Sequence, residues 1–312
     1  MSQIEYQANP RITGSFDETG GELVMEEYGV RMLIPAGAIE TGRELISLEL
    51  LSTTPRINLS PDEMIVCWAL RCEPSHLEFK KTITITTPHC AEMVEPDDVC
   101  TACYCWSEYR DGQPYAVTKI EGHQGEGGRN VQTCTVLKEY LELRINHFSW
   151  HLMSLIRKNI PSWRRIKKRV LITPYMPRSM PQSRVLHLRI HVYDDQKGHD
   201  EKIMFEEGKS GYSIVHPSVV LGFERRIDVT LRCEDHTLQN VHEKVVPFMD
   251  IFHNYRSVVS VELDFRHQQT NQKFITLHVG HKNVTRTLEI ITFNGTEDAV
   301  SLPLIVCFKF HR

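Results

Sequence analysis

The chain has 312 residues, 41% of them hydrophobic and 24% charged, with a formal net charge of -4 at pH 7. That length allows two domains of ordinary size, each with its own core, and the composition is that of a soluble globular protein. The charge gives no global reason for a nucleic-acid partner, and no apolar run nears the roughly 20 residues of a membrane-spanning helix.

The amino terminus, MSQIEYQANPRITG, lacks the basic start and apolar stretch of a signal peptide. Nine cysteines at irregular spacing point to reduced thiols and a cytoplasmic protein, although a longer relative can be membrane-anchored. Asn283-Val-Thr285 and Asn294-Gly-Thr296 match the glycan acceptor pattern, but without secretion they read as polar turn residues.

Hydrophobic residues recur with a period of two from the start. Val30, Met32 and Ile34 alternate before Pro35 and Gly37 end the run. Ile46, Leu48 and Leu50 follow, then MIVCWALRC (64 to 72), which is apolar on both parities and reads as a central strand. Ile83 and Ile85, then Leu141, Leu143 and Ile145, repeat the alternation. Such short runs bounded by turn formers predict antiparallel strands with one face on a core. Between about 153 and 170 the pattern breaks in SLIRKNIPSWRRIKKRV, which carries seven Lys or Arg. Alternation returns in Leu186 to Val192, Ile227 to Leu231, Val259 to Phe265, Ile275 to Val279 and Leu304 to Phe308. The prediction is an all-β chain of two tandem β-sandwich-like domains, residues 11–152 and 170–312, joined by a basic linker at 153–169. One short helix is expected within HEKVVPFMDIF (242 to 252).

Four features bear on chemistry. Cys100, Cys103 and Cys105, with Cys90 upstream, lack a matching second ligand pair, so buried reduced thiols are expected and no metal or cofactor. Arg164, Arg165, Lys167, Lys168 and Arg169 read as a solvated linker, with no nucleic-acid or lipid contact expected. The loop EGHQGEGGRN (121 to 130) does not fit a phosphate-binding pattern and reads as a hairpin loop.

The fourth is His147-Phe148-Ser149, at the end of an alternating strand. Leu141, Leu143 and Ile145 share a face, which His147 and Ser149 would continue. Side chains two apart on a regular strand are about 6.6 Å from one another, too far for a hydrogen bond. Ser149 can attack the carbonyl of Phe148, its own preceding residue, if the backbone is bent there. The same bend brings His147 to the hydroxyl as base.

The segments GVRMLIPAGAIETGRELISLELL, HLEFKKTITITTPHCA and LELRINHFSW resemble the start, middle and end of a ZU-five domain. RVLITPYMPRS through VVPFMDIFHNYRSVVSVELDF resembles a UPA domain, and together the resemblance covers about residues 12 to 312. It implies two β-sandwich-like folds and a signalling or scaffold module of the kind that precedes death domains. In PIDD, the uncoordinated-five C-like protein and FIIND regions, such modules autoproteolyse at an HF-S junction. The resemblance thus implies a single cut between Phe148 and Ser149 by an N-to-O acyl shift, with the halves staying associated. FIIND regions also use an upstream His, for which His123 is the counterpart. Protein partners of the death-domain kind are implied, and no small-molecule substrate. No death domain follows before Arg312, so the effector is expected to be missing, encoded elsewhere or carried by a part of the protein outside these residues. Ankyrins and netrin receptors keep these folds without cutting, which leaves a non-cleaving scaffold as the alternative.

Overall fold

A computed structural model describes residues 9–75, 77–92, 99–110, 113–115, 117–122, 133–157, 166–179, 181–224, 226–236, 240–264, 266 and 272–293. The chain divides into two compact units, one of residues 1–168 with 252–255, the other of 169–251 with 256–312. The expected runs at Asn294 and Leu304 to Phe308, residues 158–165 of the expected basic linker, and the loop from His123 to Asn130 lie outside the described residues, while Lys168 of that linker, expected to be solvated, is buried.

The first unit begins with β1 (Arg11–Phe16), β2 (Gly21–Met25), β3 (Val30–Ile34), β4 (Glu44–Leu50) and β5 (Glu63–Ile65). There follow β6 (Leu70–Glu73), β7 (Glu78–Pro88), β8 (Ala91–Glu92), β9 (Val99–Trp106) and β10 (Glu108–Arg110). It continues with β11 (Gln113–Tyr115), β12 (Thr118–Gly122), β13 (Thr133–Val136), β14 (Tyr140–His147) and β15 (Trp150–Arg157). One sheet runs β1-β4-β6-β15-β9-β12, with β5 also on β15, and the other runs β13-β14-β7-β3-β2. The alternation is realised as read: Val30, Met32, Ile34, Ile83, Ile85, Leu141, Leu143 and Ile145 are buried, while Arg31 and Leu33 between them face water. A half-buried antiparallel strand demands this period.

MIVCWALRC is buried on both parities, as expected, but it is not one central strand. It forms β5 and β6, separated by a stretch in which Trp68 packs on Tyr28 and on Tyr255. The Ala69 N–H there donates to Tyr255 Oη at 2.7 Å, so a side chain supplies the acceptor that a neighbouring strand would.

The second unit holds β16 (Lys167–Pro177), β17 (Val185–Asp194), α1 (His199–Lys209), β18 (Tyr212–Ile214) and β19 (Val219–Phe223). There follow, among the described residues, β20 (Val229–Asp235), β21 (Asn240–Val246), α2 (Phe248–Phe252), β22 (Arg256–Asp264), β23 (Gln272–His281) and β24 (Val284–Phe293). Its sheets run β18-β16-β17-β22, with β19 on β16, and β21-β20-β23-β24. Every described strand pairing is antiparallel, so the chain is all-β with two helices among the described residues. The expected helix at 242–252 is a strand followed by the single turn α2. No helix among the described residues is long and apolar enough to cross a membrane.

Candidate functional site

The last two strands of the first unit belong to different sheets. β14 ends at His147 in one sheet and β15 begins at Trp150 in the other, so Phe148 and Ser149 alone carry the chain across. The crossing starts with a bulge. Ile145 opposes Ile83 on β7, but His147 opposes Glu78, so β7 contributes extra residues and the parity of β14 is lost. His147 therefore turns outward and is exposed, while Phe148 takes the inward place and packs on Phe79, ring centroids 4.8 Å apart. The expectation that His147 shares the buried face of Ser149 fails for this reason.

Backbone bonds grip the crossover on both sides. The Phe148 N–H donates to Leu77 O at 3.1 Å, and the Cys72 N–H donates to Ser149 O at 3.1 Å. On the next residue, Trp150 lies under the Arg71 guanidinium at 4.6 Å and against Tyr109 at 4.8 Å. These contacts hold Trp150 to one face of β15, so Ser149, His151, Met153 and Leu155 turn to the opposite face, where all are buried.

Ser149 Oγ lies 3.0 Å from His151 Nε2. Sequence reasoning missed this histidine, because it measured reach by backbone spacing alone. The imidazole is long enough to bridge two residues when both side chains lean together, and the signal was a second His two places after Ser149. His151 is fully buried, and its other nitrogen meets sulfur: Nδ1 is 3.3 Å from Cys105 Sγ and 3.8 Å from Cys103 Sγ. The register explains it, since His151 directly opposes Cys105 on β9 and Met153 opposes Cys103. Cys103 and Cys105 lie on one strand face, as their spacing predicts, with their sulfurs 3.7 Å apart. The hydrogen bond with Cys105, reinforced by burial, pushes the Cys103 thiol far above its ordinary range. Burial likewise pushes the Cys134 thiol, on β13 of the facing sheet, up to about 12.

The other face of the same strands is ionic. Tyr104 and Ser154 donate to the buried Glu63, which also holds Lys119 at 2.7 Å. Of the other cysteines singled out in the sequence, Cys90 is buried with its N–H on Val66 O, and Cys100 is half-buried opposite Ile156. No disulfide joins the described cysteines. His123, the second expected base, lies outside the described residues.

The sequence that folds into this unit has relatives among known proteins. Residues 12–101 match the ZU5 domain. The ZU5 match thus runs from β1 into β9; of the strands that follow in the first unit, β12 to β15 complete the same two sheets and β10 and β11 pair with each other. Over 299 residues the chain is 23% identical to the UNC5C-like protein of Mus musculus, covering 90% of this chain and 54% of that protein. It is 28% identical over 127 residues to netrin receptor UNC5D of Rattus norvegicus, covering 34% of this chain and 13% of the receptor. It is 35% identical over 88 residues to tight junction protein ZO-1 of the same species, 27% of this chain and 5% of that protein. A ZU5 domain followed by a second β unit is consistent with a ZU5–UPA module. The chain spans about half the length of the UNC5C-like protein and much less of the other two.

Proposed function

We propose that this chain is a protein-interaction and signalling module that cuts its own backbone once, between Phe148 and Ser149. The observation that carries this reading is the 3.0 Å contact of Ser149 Oγ with His151 Nε2 at a tethered, two-residue crossover. A nucleophile, a base and a group that orients the base are the parts a covalent step needs. Here they are Ser149, His151 and the Cys105 sulfur, with Nδ1–H donating to sulfur and Nε2 accepting from the hydroxyl.

Ser149 Oγ attacks the Phe148 carbonyl carbon while His151 Nε2 takes its proton. The five-membered intermediate collapses with breakage of the C–N bond, and the proton passes to the Ser149 nitrogen. The product is an ester between the Phe148 acyl group and Ser149 Oγ. Water adds to that ester carbon, the C–Oγ bond breaks, and a Phe148 carboxylate and an amino-terminal Ser149 remain. His151, in contact with Ser149, takes the role of base in place of His147, and His123→Ala tests whether His123 assists. The module acts in the cytoplasm on protein partners of the death-domain kind, with the cut controlling an effector.

Denaturing electrophoresis and intact mass of the purified chain test this. Wild type should give residues 1–148 and 149–312, the second beginning Ser-Trp-His-Leu, and Ser149→Ala should give one full-length species. Full-length wild type after prolonged incubation would overturn the cut and leave a scaffold, in which the Ser149–His151 pair is only a buried hydrogen bond.

A further inference from the structure

Three donor atoms in the first unit converge inside its core, behind the imidazole nitrogen that meets Ser149: Cys103 Sγ, Cys105 Sγ and His151 Nδ1, all within 4.8 Å of one another and all on buried residues. A tetrahedral zinc ion with bonds of about 2.3 Å to sulfur and about 2.0 Å to nitrogen fixes the edges of its ligand shell. Sulfur atoms then sit about 3.8 Å apart, and sulfur and nitrogen about 3.5 Å. The three edges here are 3.7, 3.8 and 3.3 Å. Two thiols and an imidazole are the donor set that borderline-soft divalent ions prefer.

We propose that Cys103, Cys105 and His151 form three ligands of a tetrahedral Zn2+ site built across β9 and β15. Among the described residues these three are the His, Cys, Asp and Glu side chains that converge here, so the fourth position is left to an exogenous ligand. The sequence could not suggest this, because the third ligand comes from a strand 46 residues further on and is paired to Cys105 only by sheet register.

Occupancy bears on the neighbouring serine. A metal on Nδ1 leaves the ring's proton on Nε2, which then donates to Ser149 Oγ and cannot accept from it. On the cleavage reading above, on which this consequence rests, a loaded site holds the chain uncut.

The test is titration of the full chain, purified metal-free under reducing conditions, with Co2+ as the probe. The expected result is one equivalent bound, with intense visible bands of tetrahedral cobalt and sulfur-to-metal charge transfer, both erased by Zn2+. Cys105→Ser should lose the tetrahedral spectrum while keeping its β-sheet circular dichroism. Cys100→Ser, on the opposite face of β9 by parity, should keep both. Absence of the tetrahedral spectrum in folded wild type overturns the site, as does its survival in a Cys103→Ser/Cys105→Ser double variant. In a chain that cuts, saturating Zn2+ should slow the cut at least tenfold and a chelator should restore it; an unchanged rate overturns the coupling. The cobalt spectrum decides the site whether or not the chain cuts, so failure of the site and failure of the cleavage reading are separate results.

Discussion

Replacing His151 by Gln distinguishes the base that lies against Ser149 from the one that is adjacent only in sequence. His151 Nε2 is 3.0 Å from Ser149 Oγ, within reach for direct proton transfer, whereas His147 is exposed at the end of β14 and opposes Glu78. General-base help is worth ~10²–10⁴ in rate, or about 3–5 kcal/mol of barrier. His151→Gln should therefore slow the cut by that factor, while His147→Ala should change it by less than about threefold, the range expected of a solvated neighbour. Because His151 is fully buried and bridges Ser149 and Cys105, the substitution also costs stability, roughly 1–3 kcal/mol for the partners left behind. Rates must thus be read well below the melting temperature of each variant. A time course of freshly translated chain, sampled into denaturant and resolved on gels, gives the rate directly. His123→Ala belongs in the same series. Cleavage of folded His151→Gln within threefold of wild type, with His147→Ala the slower, would refute the assignment.

Cleaved chains should stay together, because β15 pairs along eight residues with β9 and also with β5 and β6, so the new amino terminus begins an interior strand. Native size-exclusion that separates the two fragments would contradict this. Phe148→Ala, made in the Ser149→Ala background, should lose about 3–5 kcal/mol in urea melts, since the ring is 1% exposed and packed on Phe79; a loss under about 1 kcal/mol would mean that the crossover is not anchored by it. Acid should weaken the second unit through His191, whose pKa burial, Arg256 and Arg189 hold down to about 3. Glu207 Oε1 lies 3.1 Å from its Nε2, but Arg189 and Arg256 already engage that carboxylate. The fold favours the neutral ring, so this stability is complete above the unfolded value near 6.5 and is lost as pH falls from there toward 3. At pH 5 the loss is about 2 kcal/mol, and His191→Gln should remove that part of the difference between melts at pH 7 and pH 5.

What the sequence made legible follows from where one simple demand acts alone. Strands such as β3, β7 and β14 have one buried face and nothing else to satisfy, so Val30, Met32, Ile83, Leu141 and Leu143 write a period of two that needs no structure to read. The helix α1 escaped because its inward stripe is His199, Ile203 and Glu207, with the carboxylate of Glu207 meeting Arg189 and Arg256, while Met204 and Phe205 stand outside. An apolar moment cannot mark a helix whose buried face is ionic. The same logic explains the site. Counting by twos from Ile145 places His147 beside Ser149, and the count fails because the chain must leave one sheet for the other within two residues. The bulge that makes this possible rotates His147 out, brings Phe148 in and hands Ser149 to the register of β15, where His151 and Cys105 already face each other. A parity count is valid only within one ladder, and a backbone gripped by Leu77 on one side and Cys72 on the other can exist only where two ladders meet. The side chains that meet at Ser149 are therefore those that the pattern of a single strand could not reveal.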